Sequence, residues 1–328
     1  KLSAQETTTA IEALGFPTLE FRLPDAAQYR VEPGVEVFFL EDHSLPLVSV
    51  FARFRGGPSY FSKDEQGATT AVPLLLRSGG TLDLAPDSVD ALLDFYAAEM
   101  SFGGGGPSSS SSVNTLTRYL DDVLELWGSL LREPAFDSTR VEVWRGQQLE
   151  SLIRQSEFPG RLAISKFNNL MFGDHPVGWE MGPEHLDPED LAPDVLRQVH
   201  RKIFCWGNLT LGVTGDVTWD EIRPRLERLL DGWPACESDL EAPPPPTFAV
   251  APGVYVLPRE LDQSTIIMGK PSNVRLADDE SYFAAQIGNA ILGGAGLTTR
   301  LARRVRTEEG LAYGAASVWT TPARSRGI

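Results

Sequence analysis

The sequence predicts an α+β protein built as two related units. Three observations carry this. Strand-like alternation and helix-like periodicity both occur, an acidic proline-rich stretch interrupts the chain at 237–250, and the pattern restarts after it. The order strand, acidic loop, helix and double glycine also occurs twice, at 47–80 and at 264–294, as a faint internal repeat.

The elements follow in order. Residues 35–42 predict a first strand, and 47–54, with alternating apolar positions, a second, joined by a turn at Ser44-Leu-Pro46. Gly56-Gly57-Pro58 ends the second strand, and a polar loop (62–66) leads into a buried helix over 67–77, stopped by Gly79-Gly80. Pro73 stands inside that helix. Proline cannot donate to the carbonyl four residues back, at Thr69, so a kink or interruption is expected there. Residues 87–97 predict a helix opening on an Asp87 cap, with Val89, Leu92, Leu93 and Tyr96 on one face. Residues 101–112, Ser-Phe-Gly-Gly-Gly-Gly-Pro followed by five serines, read on composition alone as a flexible linker. Helices are expected at 119–131, at 138–169 with a break at Pro159-Gly160, at 188–201 and at 219–230, with a strand at 209–215.

These elements make a first unit, 1–236, joined by the stiff 237–250 linker to a second unit, 251–328. In the second unit strands are expected at 254–257, 264–268 and 312–320, and helices at 279–292 and 298–306. That unit is much the shorter and finishes on an uncovered strand, so it is expected to be incomplete at its C-terminus.

The 328 residues include 29 Lys and Arg against 45 Asp and Glu, a net charge of −16. Nucleic acid and anionic membrane surfaces both select a basic face, so neither is an expected partner. No apolar run is long enough to span a bilayer. The residues after Lys1 lack a basic start followed by an apolar stretch. Periplasmic or exported and cytoplasmic locations both stay open. Two cysteines, Cys205 and Cys236, have no metal-ligand spacing, and whether they pair stays open. Trp144, Trp179, Trp206 and Trp233 are expected to pack in the core or at an interface.

Several segments together resemble the M16 peptidases (pitrilysin and insulinase-like inverzincins). Asp42-His-Ser-Leu-Pro-Leu-Val-Ser49 resembles the family's opening hairpin. Arg132-Glu-Pro-Ala-Phe-Asp137 resembles its N-P-x-F-D landmark, Phe172-Gly-Asp-His-Pro-Val-Gly178 its G-H-P-Y-G loop, and Val213-Thr-Gly-Asp216 its V-G-D strand end. Ala290-Ile-Leu-Gly-Gly294, Thr299-Arg-Leu301 and Arg306-Thr-Glu-Glu-Gly-Leu-Ala-Tyr313 resemble the signature of the second domain. The resemblance implies a LuxS/M16 metallopeptidase-like fold, with two related domains, each a mixed sheet covered by helices on one face.

Family catalysis depends on H-x-x-E-H on a helix and a later glutamate, which hold Zn²⁺ and its general base. This sequence has no such motif. Its histidines are His43, His175, His185 and His200, and no two are three or four residues apart. Aligning the motif on 67–81 places Thr70 and Leu74 where the histidines belong and Pro73 at the general base. The later glutamate falls at Ser151, one residue from Glu150. Leucine and proline neither bind zinc nor move a proton, so this chain alone is expected to hydrolyse nothing and to hold no metal. His175 and His185 lie in a Gly/Pro-rich loop without a supporting ligand pair and make no alternative site.

The resemblance further implies that Arg306 and Tyr313 grip substrate backbone and oxyanion at a partner chain's zinc. It also implies that Phe102, Gly103 and Gly104 lie on an edge strand to which a peptide adds, although the usual Asn/Ala pattern is missing there. The function expected is therefore that of a non-catalytic, substrate-binding subunit. It would act with an M16 chain that carries an intact H-x-x-E-H motif and the zinc, on a peptide substrate. The other reading is a structural M16-like core subunit without a part in proteolysis.

Overall fold

A computed structural model describes residues 24–328, apart from 238, 249, 278, 324 and 325. Six strands form one mixed sheet: β1 Ala27–Val31, β2 Val35–Glu41, β3 Leu47–Arg55, β4 Glu99–Gly105, β5 Ser108–Leu116 and β6 Leu209–Gly215, in the order β1-β2-β6-β3-β5-β4. Only β2 and β6 pair in parallel; the other neighbours run antiparallel.

Period-two alternation in these strands gives the sheet two chemically distinct faces. On one face the register lines up Phe39, Val213, Val50, Val113 and Met100, all buried, as one row across the sheet. The neighbouring row runs Val37, Leu211, Ala52, Ser111 and Phe102. Helices cover this face. The opposite face presents Glu36, Phe38, Ser49, Phe51 and Arg53, half-buried or exposed.

The helices are α1 Gln66–Ser78, α2 Pro86–Tyr96, α3 Leu120–Arg132, α4 Ser138–Glu157, α5 Pro159–Phe172, α6 Pro193–Ile203, α7 Trp219–Leu230 and α8 Glu280–Asn289. Pro159 separates α4 from α5 at the expected break. In α3 the fully buried Trp127 donates its indole N–H to Ser111 Oγ at 2.7 Å, and Ser111 donates in turn to the Ser101 carbonyl at 3.0 Å. Trp144 and Trp233 are buried, and Trp233 donates to the Phe204 carbonyl. Trp179 and Trp206 are half-buried.

Four expectations need correction. First, of the kink or interruption expected at Pro73, the interruption does not occur: α1 runs from Gln66 to Ser78 as one helix. Buried Ala68, Val72, Leu75 and Leu76 hold the helix in the core on either side of the proline, and tertiary packing outweighs the one lost backbone bond. Second, the cap of α2 is Ala85, with Pro86 at the first turn and Asp87 inside it. Third, the glycine and serine run is a hairpin, β4 turning at Gly106-Pro107 into β5. Its serines alternate like any two-faced strand: Ser109 and Ser111 are buried, and Ser109 donates to the Gly56 carbonyl at 2.9 Å. Fourth, the segments 254–257, 264–268 and 312–320 are not strands. A strand is made by a hydrogen-bonded neighbour, and among the described residues these have only an isolated bridge nearby, Ser272 with Gly327. Val254 and Met268 accordingly stand about nine-tenths exposed (92% and 89%).

Cys205 and Cys236 form a disulfide, with Cα atoms 5.0 Å apart and 31 residues between them in sequence. Beyond it, the proline-rich stretch touches residues earlier in the chain: Leu240 packs near Ile203 and Gly56, the Pro244 carbonyl lies 2.7 Å from His175 Nε2, and Phe248 meets Phe172 with ring centroids 5.3 Å apart.

Candidate functional site

Four aligned positions sit on two packed helices. Thr70, Pro73 and Leu74 are on α1 and Ser151 is on α4, which α1 contacts. Thr70 and Ser151 are half-buried, Pro73 is buried and Leu74 is exposed. None of the four offers an imidazole or a carboxylate, so the set does not fit a zinc ion. Among the described residues no group of three or more His, Cys, Asp and Glu is arranged to hold a metal. Glu150, next to Ser151, is taken up by Arg154 one turn along α4.

Each histidine has a structural task. His200, buried between Phe204 and the α3 end, lies 2.9 Å from the Leu131 carbonyl through Nε2, which makes that nitrogen the donor. Burial pushes its pKa down to about 4, against the pull of that carbonyl bond. His185 Nδ1 accepts from the Gly182 N–H, and His175 Nδ1 accepts from the Val177 N–H. His43 is exposed and lies between Asp216 Oδ1 at 2.6 Å and Glu41 Oε1 at 2.7 Å. The bond to Asp216, then that to Glu41, raises its pKa.

At the sheet's end, among the described residues, β4 pairs with β5 alone, so its outer rim of N–H and C=O groups has no strand partner there. Gly103 and Gly105 are open, and a side-chain carbon on either would meet nothing within 4 Å. Gly104 is different: a Cβ there would come 2.7 Å from Pro73 Cγ. Phe102 turns inward and packs against the core.

Arg306 and Tyr313 come together. Arg306 lies in a π-helical segment, Ala302–Glu308, and its guanidinium carbon stands 4.6 Å from the Tyr313 ring centroid. Tyr313 is 86% exposed and belongs to an extended segment, not to a strand. Neighbouring Arg303 and Arg304 pair with Glu308 and Glu309, whereas among the described residues Arg306 enters no ion pair.

A family model described as "Peptidase M16 inactive domain" matches residues 190–328. The non-peptidase homolog YmxG of Helicobacter pylori is 25% identical over 282 residues, covering 85% of this chain and 63% of that protein. An uncharacterized zinc protease of Streptomyces coelicolor is 28% identical over 261 residues, 77% of this chain and 56% of that one. Over residues 190–328 the chain resembles the M16 peptidases, and its relatives include a non-peptidase homolog and zinc proteases. It spans less than two thirds of the length of these two relatives.

Solved structures agree on the fold. A peptidase M16 inactive domain from Pseudomonas fluorescens superposes with a TM-score of 0.74 at 22% identity, covering 93% of this chain and 73% of that one. A protease from Helicobacter pylori gives 0.71 at 16% identity, covering 92% and 73%. The chain thus shares the fold of these M16 structures, a mixed sheet with helical cover.

Sequence reasoning missed two features of the region, the contact of Pro73 with Gly104 and the tie from Cys205 to Cys236. The first joins residues on separate elements through a hairpin that composition disguised as a linker. For the second, a separation of 31 residues carries no signal.

Proposed function

We propose that this chain is the substrate-binding, non-catalytic half of a two-chain peptidase, whose zinc is held by a second M16 chain with an intact H-x-x-E-H motif. The observation that carries the reading is the exposed Tyr313 beneath an Arg306 guanidinium that no described carboxylate occupies. A tyrosine hydroxyl donates at neutral pH, and guanidinium offers several fixed donors to peptide carbonyls. Arg306 would hold the peptide backbone and Tyr313 would donate to the peptide carbonyl oxygen that gains charge during hydrolysis, the metal chemistry being supplied by the partner chain. The open rim of β4 at Gly103 supports strand-like addition of the same peptide.

A structural role without proteolysis is favoured by one observation. Pro73, at the general-base position, is used to join α1 to β4 by packing. Reconstitution separates the two readings. This chain is purified alone, then mixed with an M16 chain containing H-x-x-E-H, and hydrolysis of an internally quenched peptide is followed. Activity that needs both chains and falls on Tyr313→Phe supports the gripping role. Equal activity with wild-type and Tyr313→Phe chains sinks it and leaves the structural role.

A further inference from the structure

We propose that the Cys205–Cys236 disulfide is a redox-sensitive clasp that decides whether the proline-rich segment 237–250 stays fixed against the sheet-bearing part of the chain. The inference does not rest on the two-chain reading.

Cys205 is fully buried where α6 gives way to β6, and Cys236 is half-buried at the start of the segment. The junction is built for the bond. The Trp206 N–H donates to the Pro234 carbonyl at 3.3 Å, and a Cβ on Gly207 would stand 3.0 Å from Cys236 Sγ, so the bare glycine makes room for the sulfur. Asn208, itself buried, donates through Nδ2 to Cys205 Sγ at 3.2 Å and to the carbonyls of Lys202 and Ile203, which fixes the buried end.

Among the described residues, what else holds the segment is non-covalent and mostly at the surface. The Arg201–Glu237 pair at 3.7 Å and the Arg55–Asp239 pair at 3.5 Å are solvent-exposed, and such pairs add little. Leu240 packs against the core beside Ile203 and Gly56, Pro244 accepts one contact from His175, and Phe248 meets Phe172 and the Arg326 guanidinium, each at the surface of the sheet-bearing part or nearby. Pro243-Pro-Pro-Pro246 has no backbone N–H and cannot be recruited into a ladder. The covalent bond is therefore the dominant tether, and cutting it removes most of the hold.

The exchange balances with a dithiol reductant. Its thiolate attacks Cys236 Sγ, the accessible sulfur, and forms a mixed disulfide as the Cys205–Cys236 bond breaks. The bonding pair goes to Cys205 Sγ, where Asn208 already donates, and that thiolate takes up a proton. The reductant's second thiol then displaces Cys236, leaving two protein thiols and the oxidised dithiol.

The test uses the whole chain in three forms: oxidised, reduced with dithiothreitol, and Cys236→Ser. Each is exposed to a glutamate-specific protease, for which Glu237 and Glu241 are exposed targets. Cleavage after these residues should be about tenfold faster, or more, in the reduced and Cys236→Ser forms, since cleavage tracks the opened population. Far-UV and near-UV circular dichroism should stay unchanged. Equal cleavage in all three forms overturns the proposal. So does loss of the fold on reduction, which would make the bond a structural staple, and so does a bond that dithiothreitol reduces only in denaturant.

Discussion

The ring of Pro73 on α1 lies directly against Gly104 on the edge strand: a Cβ built on Gly104 would come 2.7 Å from Pro73 Cγ and 3.3 Å from Pro73 Cβ. A pyrrolidine ring cannot swing aside as a long side chain can, so Gly104→Ala must shift helix or strand. Overpacking of this kind typically costs about 1–3 kcal/mol. In Pro73→Ala the smaller side chain leaves room, so the double variant should lose less stability than Gly104→Ala alone. Urea unfolding midpoints of the four forms measure this. A Gly104→Ala cost unaltered by Pro73→Ala would show that the two residues do not meet.

Purified chain is expected to hold no stoichiometric zinc, because Thr70, Pro73, Leu74 and Ser151 occupy the positions that would need His, Glu, His and Glu. Elemental analysis after dialysis against a weak chelator checks this. One tightly held zinc per chain would overturn the alignment.

In the reconstituted pair, Tyr313→Phe keeps the ring under Arg306 and removes only the hydroxyl, so turnover should fall about 10²–10³-fold, the usual cost of one oxyanion donor. Arg306→Lys keeps the charge and loses the planar fork, so it should impair the reaction as well. Steady-state rates on one peptide suffice. Unimpaired hydrolysis by Arg306→Lys would remove the bidentate grip from the mechanism.

Acid should destabilise the fold through His200. Its pKa is about 4 when folded against 6.5 for an ordinary histidine. Between those values the unfolded chain holds a proton that the fold excludes, so stability falls as pH drops below about 6.5. The whole shift corresponds to about 3 kcal/mol, complete near pH 4. Denaturant unfolding at several pH values, compared with His200→Gln, isolates the effect. Identical pH slopes for the two proteins would exclude it.

The two hydrophobic strands β2 and β3 were legible because apolar residues recur at every second position, Val35, Val37 and Phe39 in one and Val48, Val50, Ala52 and Phe54 in the other, and these are the buried ones. The α4–α5 break was legible because Pro159 cannot continue a helix. Pro73 misled, since its cost is local while the packing of Val72, Leu75 and Leu76 that offsets it comes from distant elements. The second half misled differently. Val254, Val256 and Ile266 have strand-forming side chains, but strand formation depends on a neighbour that no single segment encodes. For the candidate site, the aligned residues could be named from motifs, whereas the Arg306–Tyr313 contact and the openness around Gly103 depend on three-dimensional placement.

The five serines of β5 have one more consequence, for how the sheet finds its alignment. Sliding β5 by one residue against β3 would exchange serine for serine through most of Ser108–Ser112, so the middle of the strand cannot tell a right pairing from a wrong one. The information sits at its two ends and at two anchors, one of them Ser109 Oγ on the Gly56 carbonyl. Gly106-Pro107 sets the start, Asn114 Nδ2 reaches Ser49 Oγ at 2.7 Å near the finish, and Trp127 reads one serine in between, Ser111. Counting, more than chemistry, is what this strand preserves. One serine added to the run is a frameshift in space, and should do more harm than changing any of the five already there.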